Sequence, residues 1–181
     1  MKHQANKAER IAKIIARAGL ASRRESEKLI LDGRVKVNGK TINSPALNLT
    51  KNDVIEVDGK LLLPPEQTRL WIYNKPVGLV STSKDEKNRP TIFDNLPKEL
   101  PRVVSIGRLD LNSEGLLLLT NDGELKRRLE LPSTGWLRRY RVRVKGKLKD
   151  SMLEPLRHGI FVEGTHFKPM DISFDRQTGA N

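Results

Sequence analysis

The hydrophobic pattern at the start of the chain predicts two short helices. Apolar residues three or four positions apart would form the buried face of the first helix: Ile11, Ile14, Ile15 and Ala18. Gly19 is expected to end this helix. Ser22 and Glu25 have the spacing of a capping box, so the second helix should begin at Ser22 and end at Gly33.

A β-hairpin is predicted directly after these helices. Val35-Lys36-Val37 alternates apolar and polar residues as a half-buried strand does, and Asn38-Gly39 is the strongest short signal for a hairpin turn. Residues 1–61 therefore form one block. The paired prolines within residues 62–69 predict an extended linker, and a second block covers residues 70–181.

The second block is a series of short strand-like runs with one helix among them. The helix should begin at Asn121 or Asp122 and end before Pro132. Strands are expected at residues 70–73, 103–106, 116–120, 139–145 and 171–175. This pattern predicts the α+β class, with a small helix–helix–hairpin domain followed by a mixed, mainly antiparallel sheet domain.

Charge is the property of the composition that most narrows the function. The 181 residues include 34 Lys and Arg against 22 Asp and Glu, which gives a formal net charge of +12. A one-sided excess of this size predicts a polyanionic partner, most often nucleic acid. Residues 1–40 hold eleven basic residues against four acidic ones, and residues 126–149 hold ten against one.

Several classes of protein are disfavoured by the composition. The chain has no cysteine, so disulfides and thiolate zinc sites are excluded, and its three histidines are scattered. No run of about 18 apolar residues could span a membrane, and the polar N-terminus lacks the apolar segment of a signal peptide. We therefore expect a monomeric cytoplasmic protein without a metal ion.

Arg23 and Arg24 occupy an unusual place for cations. They fall in the first turn of the predicted second helix, where free backbone N–H groups favour negative charge. One interpretation is a tolerated misplacement that costs about 0.3–1 kcal/mol. We favour the other, in which both guanidinium groups and the helix N-terminus bind a phosphate, because the basic excess is local to this block.

Asp110 lies in a predicted turn, Gly107-Arg108-Leu109-Asp110. A turn aspartate is usually structural, because its carboxylate accepts hydrogen bonds from nearby backbone N–H groups. Here, however, Gly107 lets a ligand approach the backbone, and Arg108 can contact phosphate or a base edge. Asp110 and Glu114 could instead form an acid–base pair or a magnesium site for phosphoryl transfer, although no third carboxylate has a suggestive spacing.

Two segments resemble the RNA-binding module named after ribosomal protein S-four. They are Arg10-Ile11-Ala12-Lys13-Ile14-Ile15-Ala16-Arg17-Ala18-Gly19-Leu20-Ala21-Ser22-Arg23-Arg24-Glu25 and Gly33-Arg34-Val35-Lys36-Val37-Asn38-Gly39. In that family the helix pair and the hairpin present a basic face to structured RNA. The resemblance implies that RNA is contacted by Arg10, Lys13, Arg17, Arg23, Arg24, Arg34 and Lys36.

Residues 107–123 resemble the signature of the Rsu/Rlu group of bacterial pseudouridine synthases. Tyr73-Asn74-Lys75-Pro76-Val77-Gly78 and Asp85-Glu86-Lys87-Asn88-Arg89-Pro90-Thr91 agree with it, as does the order of the two blocks. The resemblance implies an enzyme that isomerises a uridine of ribosomal RNA to pseudouridine without cofactor or metal. The residues of these motifs, taken together, favour the large-subunit enzymes.

The same resemblance implies roles for three residues. Asp110 would be the nucleophile, and a cationic neighbour is expected because this carboxylate must stay ionised. Arg108 would fill the space left by the base when it leaves its stack. Tyr140 would stack on the uracil, although by itself it would be an ordinary strand aromatic.

Members of the group continue for several tens of residues beyond the point where this chain stops. The additional part carries a glycine- and arginine-rich motif whose basic residue pairs with the nucleophile. We therefore expect an incomplete catalytic domain that binds RNA with little or no synthase activity. The alternative function is accordingly that of a non-catalytic protein that binds structured RNA.

Overall fold

Two helices form the N-terminal part of the computed structural model, which describes residues 8–175. Helix α1 covers Ile11–Arg17 and α2 covers Arg23–Leu31. The predicted capping box is confirmed. The Ser22 hydroxyl accepts a hydrogen bond from the Glu25 N–H at 3.1 Å, and the Glu25 carboxylate accepts one from the Ser22 N–H at 2.7 Å. The box thus satisfies N–H groups that the helix itself leaves unpaired.

Short antiparallel strands follow and pack against the helix pair. A two-stranded ladder pairs β1 (Glu9–Arg10) with β4 (Asn48–Leu49). The predicted hairpin is confirmed as part of a four-stranded sheet of order β3-β2-β5-β6, whose strands are β2 (Val35–Val37), β3 (Lys40–Ile42), β5 (Ile55–Val57) and β6 (Lys60–Leu61). The turn residues Asn38 and Gly39 both have positive φ, as a two-residue hairpin turn requires.

The core of this part lies between the helices and the sheet. Ile11 and Ile15 of α1 are fully buried, as the helical pattern predicts, and they pack with Ile30 of α2 and Val35 of β2. Ile14 packs against the same cluster but is only partly buried. The apolar spacing in the sequence therefore predicts the face of α1 that forms the core.

A three-stranded antiparallel sheet forms the next part, in the order β7-β9-β8. Its strands are β7 (Leu70–Lys75), β8 (Val104–Ile106) and β9 (Gly115–Thr120). Leu117 and Leu119 of the central strand are buried against Ile92, which begins the 3₁₀ turn Ile92–Asn95. On the other face of the sheet, Ile72 is 80% exposed.

Helix α3 (Gly123–Glu130) follows β9 and begins as the sequence predicts. The Asp122 side chain caps it by accepting hydrogen bonds from the N–H groups of Glu124 and Leu125. Residues 62–69 form no helix or strand. Their end is nevertheless fixed to the turn before α3, because the Thr68 hydroxyl donates to Asp122 at 2.7 Å.

Within the described residues, those from Leu137 to Asp175 form a separate compact unit. It contains the 3₁₀ turn Asp150–Leu153, helix α4 (Glu154–His158), and a hairpin of β10 (Ile160–Val162) and β11 (Thr165–Phe167). Arg157 of α4 binds Asp150 and Glu154 within this unit.

The strands predicted at residues 139–145 and 171–175 are wrong. Both segments lack regular structure, and the side chains of residues 137–146 are exposed. Alternation of apolar and polar residues favours a strand only when a neighbouring strand accepts and donates its backbone hydrogen bonds. Within residues 8–175 no strand is paired with either segment. The α+β class is nonetheless confirmed, and no helix of the described residues has the length and apolar character needed to cross a membrane.

Candidate active site

The loop between β8 and β9 carries both Arg108 and Asp110. It leaves β8 through Gly107, whose φ of +74° lies in the region that favours glycine. The Ser113 N–H donates to the Asp110 carbonyl at 3.0 Å, which closes a turn. Both Arg108 and Asp110 are exposed, and neither side chain forms an ion pair or a hydrogen bond with any residue among 8–175. Both functional groups are therefore accessible to a ligand.

Lys75 holds the main chain of this loop from below. Its side chain is fully buried at the end of β7, where Lys75 pairs with Gly115 of β9. The ammonium group donates to the carbonyls of Asp110 and Ser113, at 3.0 and 2.7 Å, and to that of Pro76 at 3.0 Å. Each of its three protons thus has an acceptor, as a buried cation requires.

Burial also changes the acid–base behaviour of Lys75. Desolvation lowers the pKa of its ammonium group below the usual value, and the nearby carboxylate charge of Asp110 opposes that fall. Lys75 thus places a positive charge near Asp110 without binding its carboxylate, and the sequence interpretation did not identify it. The signal was present, because Trp71, Tyr73 and Lys75 alternate onto the same inward face of β7.

Ser81 holds the residue that precedes Asp110. Its hydroxyl donates to the Leu109 carbonyl at 2.8 Å and accepts from the Leu109 N–H at 3.1 Å. Ser81 is itself buried, so this reciprocal pair is shielded from water. The loop backbone is therefore fixed immediately before the candidate nucleophile.

Helix α3 supplies the third attachment, at the beginning of the loop. The Glu130 carboxylate accepts a hydrogen bond from the Gly107 N–H at 2.6 Å. The Lys126 ammonium donates to Glu130 at 2.5 Å and to the Ser105 carbonyl at 2.6 Å. The loop is thus held at its beginning, before Asp110 and at Asp110 itself.

A groove of about 220 Å³ lies beside Arg108. Phe93 and Val104 supply its apolar surface. Its polar lining consists of four hydroxyl groups and two cations, from Ser81, Thr82, Ser83, Ser105, Arg108 and Lys126. Hydroxyl and cationic groups are the side chains that most often contact the sugar and phosphate of a nucleic acid.

The segment Asp85–Thr91, which the family resemblance also covers, is ordered by one carboxylate. Asp85 accepts hydrogen bonds from the N–H groups of Lys87 and Arg89 and from the Arg89 guanidinium group. These bonds, led by the guanidinium, hold the pKa of Asp85 well below its usual range. The side chain of Asp85 is only 6% exposed, so the structure gives it an internal role in the turn.

The basic residues predicted to bind RNA fall into two groups. Three of them are paired with acidic side chains. Lys13 binds Glu9 at 2.8 Å and also Glu124. Arg34 forms two hydrogen bonds with Asp58, at 2.7 and 2.6 Å, and Arg23 lies 3.8 Å from Glu27. The others are exposed and form no hydrogen bond or ion pair through their side chains within the described residues: Arg10, Arg17, Arg24 and Lys36.

Tyr140 belongs to the unit that begins at Leu137. Its side chain is 63% exposed, and the strand expected around it does not form. Its neighbour Arg141 pairs with Asp175 at 2.9 Å. The role of Tyr140 in base stacking thus stays a prediction. The described residues also contain no cluster of three or more His, Asp or Glu side chains that could hold a metal ion.

Two family models match the chain. The model described as S4 domain matches residues 9–55, and the model described as RNA pseudouridylate synthase matches residues 69–174. The second range contains the Asp110 loop and its attachments at Lys75, Ser81 and Glu130.

Similar proteins span both matched ranges. An uncharacterised RNA pseudouridine synthase of Rickettsia felis is 51% identical over 173 residues, which cover 96% of this chain and 75% of that protein. The ribosomal large subunit pseudouridine synthase B of Pseudomonas aeruginosa is 44% identical over 169 residues, which cover 91% of this chain and 44% of that protein. A crystal structure of a pseudouridylate synthase aligns with 88% of this chain and 70% of its own, at 27% identity and a TM-score of 0.52.

Proposed function

Since the chain belongs to the RNA pseudouridylate synthase family, we propose, in place of the little or no synthase activity expected from the sequence, that it isomerises a specific uridine of ribosomal RNA and that Asp110 is the nucleophile. In this reaction the bond between ribose C1′ and uracil N1 breaks, and a bond between C1′ and C5 forms. C5 loses a hydrogen and N1 gains one. The product is an isomer of the substrate, so the reaction balances without a co-reactant.

The state of Asp110 is the observation that carries this proposal. Its carboxylate is exposed and has no hydrogen-bond partner among residues 8–175, while the backbone on which it sits is fixed at several points. A nucleophile needs free lone pairs and a constrained position. The Lys75 ammonium supplies positive charge nearby and donates only to main-chain carbonyls, so it leaves the carboxylate oxygens free.

The surroundings of the loop support RNA as the substrate. Arg108 and the hydroxyl-lined groove beside it would contact the sugar–phosphate next to the target, and Arg108 would fill the place of the flipped base. Tyr140 would stack on that base. The unpaired cations of the N-terminal block, Arg17 and Arg24 among them, would bind phosphates farther away.

Ribosomal RNA of the large subunit is the substrate that we propose within this class. The relative from Pseudomonas aeruginosa carries the large ribosomal subunit in its name, and it is 44% identical to this chain. The N-terminal S-four-like domain fits a folded RNA, because a helix pair and a hairpin present a rigid cationic surface and not a channel for a single strand.

Replacement of Asp110 by Asn tests the proposal. The amide keeps the size of the side chain but is not a nucleophile, so pseudouridine formation in a large-subunit transcript should fall by about 10³-fold or more. Glu114→Gln is the matched control, since Glu114 is an exposed carboxylate of the same loop. It should keep activity and RNA affinity close to those of the unsubstituted chain. Equal activity of the Asp110→Asn chain would refute the nucleophile assignment.

A second candidate function is binding of structured RNA without catalysis. It is favoured by one observation, that the Asp110 carboxylate pairs with no cationic side chain within residues 8–175. In that case the unsubstituted chain would bind the transcript, as measured by retention of the complex on a filter, but would form no pseudouridine in it. The Pseudomonas aeruginosa relative, assayed on the same transcript, is the positive control.

A further inference from the structure

The last turn of α3 contacts the first residue of the Asp110 loop. Glu130 accepts a hydrogen bond from the Gly107 N–H at 2.6 Å, across 23 residues of sequence. Gly107 has positive φ, so its N–H and carbonyl point in directions set by an uncommon backbone conformation. A strong acceptor on that N–H therefore fixes the direction in which the loop leaves β8.

Lys126 completes this contact one helical turn earlier. Its ammonium group donates to Glu130 at 2.5 Å and to the Ser105 carbonyl of β8 at 2.6 Å. The side chains of Lys126 and Glu130 are 33% and 32% exposed, so both are partly buried. The ammonium compensates the charge of the carboxylate. Lys126 binds the carbonyl of Ser105 and Glu130 binds the N–H of Gly107, so the main chain is held on both sides of Ile106.

We propose that Glu130, supported by Lys126, is a positioning residue for the Asp110 loop. The inference rests on the proposed function and adds a residue to it. Lys75 and Ser81 bind the loop at residues 109, 110 and 113, whereas Glu130 binds it at Gly107. Glu130 touches no reacting group; it acts through the backbone that carries Arg108 and Asp110. Its removal should leave the loop free to pivot at Gly107.

The other end of α3 shows that the helix is not a free support. Glu124 in its first turn binds Lys13 of α1, and Asp122, which caps it, binds Thr68. Eight residues of helix span about 12 Å. Helix α3 therefore connects the N-terminal block to the beginning of the Asp110 loop. Glu130 is the residue through which the position of the helix determines the position of the loop.

Kinetics of three chains test the role of Glu130. Glu130→Ala removes the acceptor and should lower kcat for pseudouridine formation by about 10²-fold, the effect expected of a displacement near 1 Å, with KM changed by less than about threefold. Glu130→Gln keeps an oxygen that accepts from the Gly107 N–H, so it should restore kcat to within about threefold of the unsubstituted chain. A loss confined to KM, or a Gln variant as slow as the Ala variant, would overturn the proposal.

Hydrogen exchange provides a readout that does not depend on activity. In Glu130→Ala, the backbone amides of Gly107 and Leu109, which donate to Glu130 and Ser81, should exchange at least about tenfold faster, while those of β7 keep their rates. Glu130→Gln should exchange like the unsubstituted chain. Unchanged exchange in the Ala variant would overturn the positioning role. If the unsubstituted chain forms no pseudouridine, the proposed function fails, and hydrogen exchange still decides whether Glu130 holds the loop.

Discussion

A single buried ammonium group, that of Lys75, joins the end of β7 to the Asp110 loop. Removing an ammonium from water costs several kcal/mol unless each proton finds an acceptor, and here three main-chain carbonyls accept. Two of those carbonyls belong to Asp110 and Ser113. At the scale of the residue, Lys75 therefore stabilises mainly the Asp110 loop and only secondarily the sheet.

Lys75→Met tests this role. Methionine fills a similar volume but leaves buried carbonyls of the loop without donors, so the free energy of unfolding should fall by about 1–3 kcal/mol. Lys87→Met, at an exposed lysine, is the control and should change it by less than about 0.5 kcal/mol. Urea unfolding followed by tryptophan fluorescence measures both. Equal midpoints for the two variants would contradict a structural role for the Lys75 ammonium.

Asp85 predicts a dependence of stability on pH. Its pKa in the folded chain lies below the unfolded value of about 3.9, so its ionised form stabilises the fold above that pH and the contribution is lost as the pH falls. The urea midpoint of the unsubstituted chain should exceed that of Asp85→Asn most at pH 7. The difference should shrink below about pH 4. A difference that is constant from pH 7 to pH 3 would show that the charge of Asp85 contributes nothing.

At the scale of the element, the sequence predicts those structures that are determined by interactions between residues close together in the chain. The capping box of α2 and the Asn38-Gly39 turn involve residues at most three positions apart, and both form as predicted. The segment 139–145 has an equally regular pattern but forms no strand, because a strand needs a partner that its own residues do not provide. Contacts such as that of Glu130 with Gly107 depend on the packing of a helix against a sheet, and no local sequence pattern predicts them.

The two faces of the β7-β9-β8 sheet should respond differently to substitution. Leu119 is buried in the core under the sheet, and Leu119→Ala should lower the free energy of unfolding by about 2–5 kcal/mol. Ile72 is 80% exposed on the opposite face, and Ile72→Thr should change it by less than about 0.5 kcal/mol. Urea unfolding compares them. A large loss in Ile72→Thr would mean that the outer face is covered in solution.

At the scale of the whole molecule, the S-four-like block and the Asp110 loop both contact helix α3. Lys13 was predicted to bind RNA, yet its side chain binds Glu9 and Glu124, and these bonds outweigh the effect of burial and raise its pKa. The sequence showed where positive charge is concentrated, but not which cations are already paired with acids. The cations left without such partners, such as Arg24, are therefore the better candidates for contacts with phosphate.

The most direct test of the central claim measures the hydrogen that leaves C5 of the target uridine. A large-subunit transcript labelled with tritium at C5 of its uridines is incubated with the unsubstituted chain and with Asp110→Asn. The unsubstituted chain should release tritium up to about one equivalent per transcript, since one specific uridine is isomerised, and Asp110→Asn should release none. Absence of release by the unsubstituted chain, on a transcript that the Pseudomonas aeruginosa relative does modify, would contradict the account.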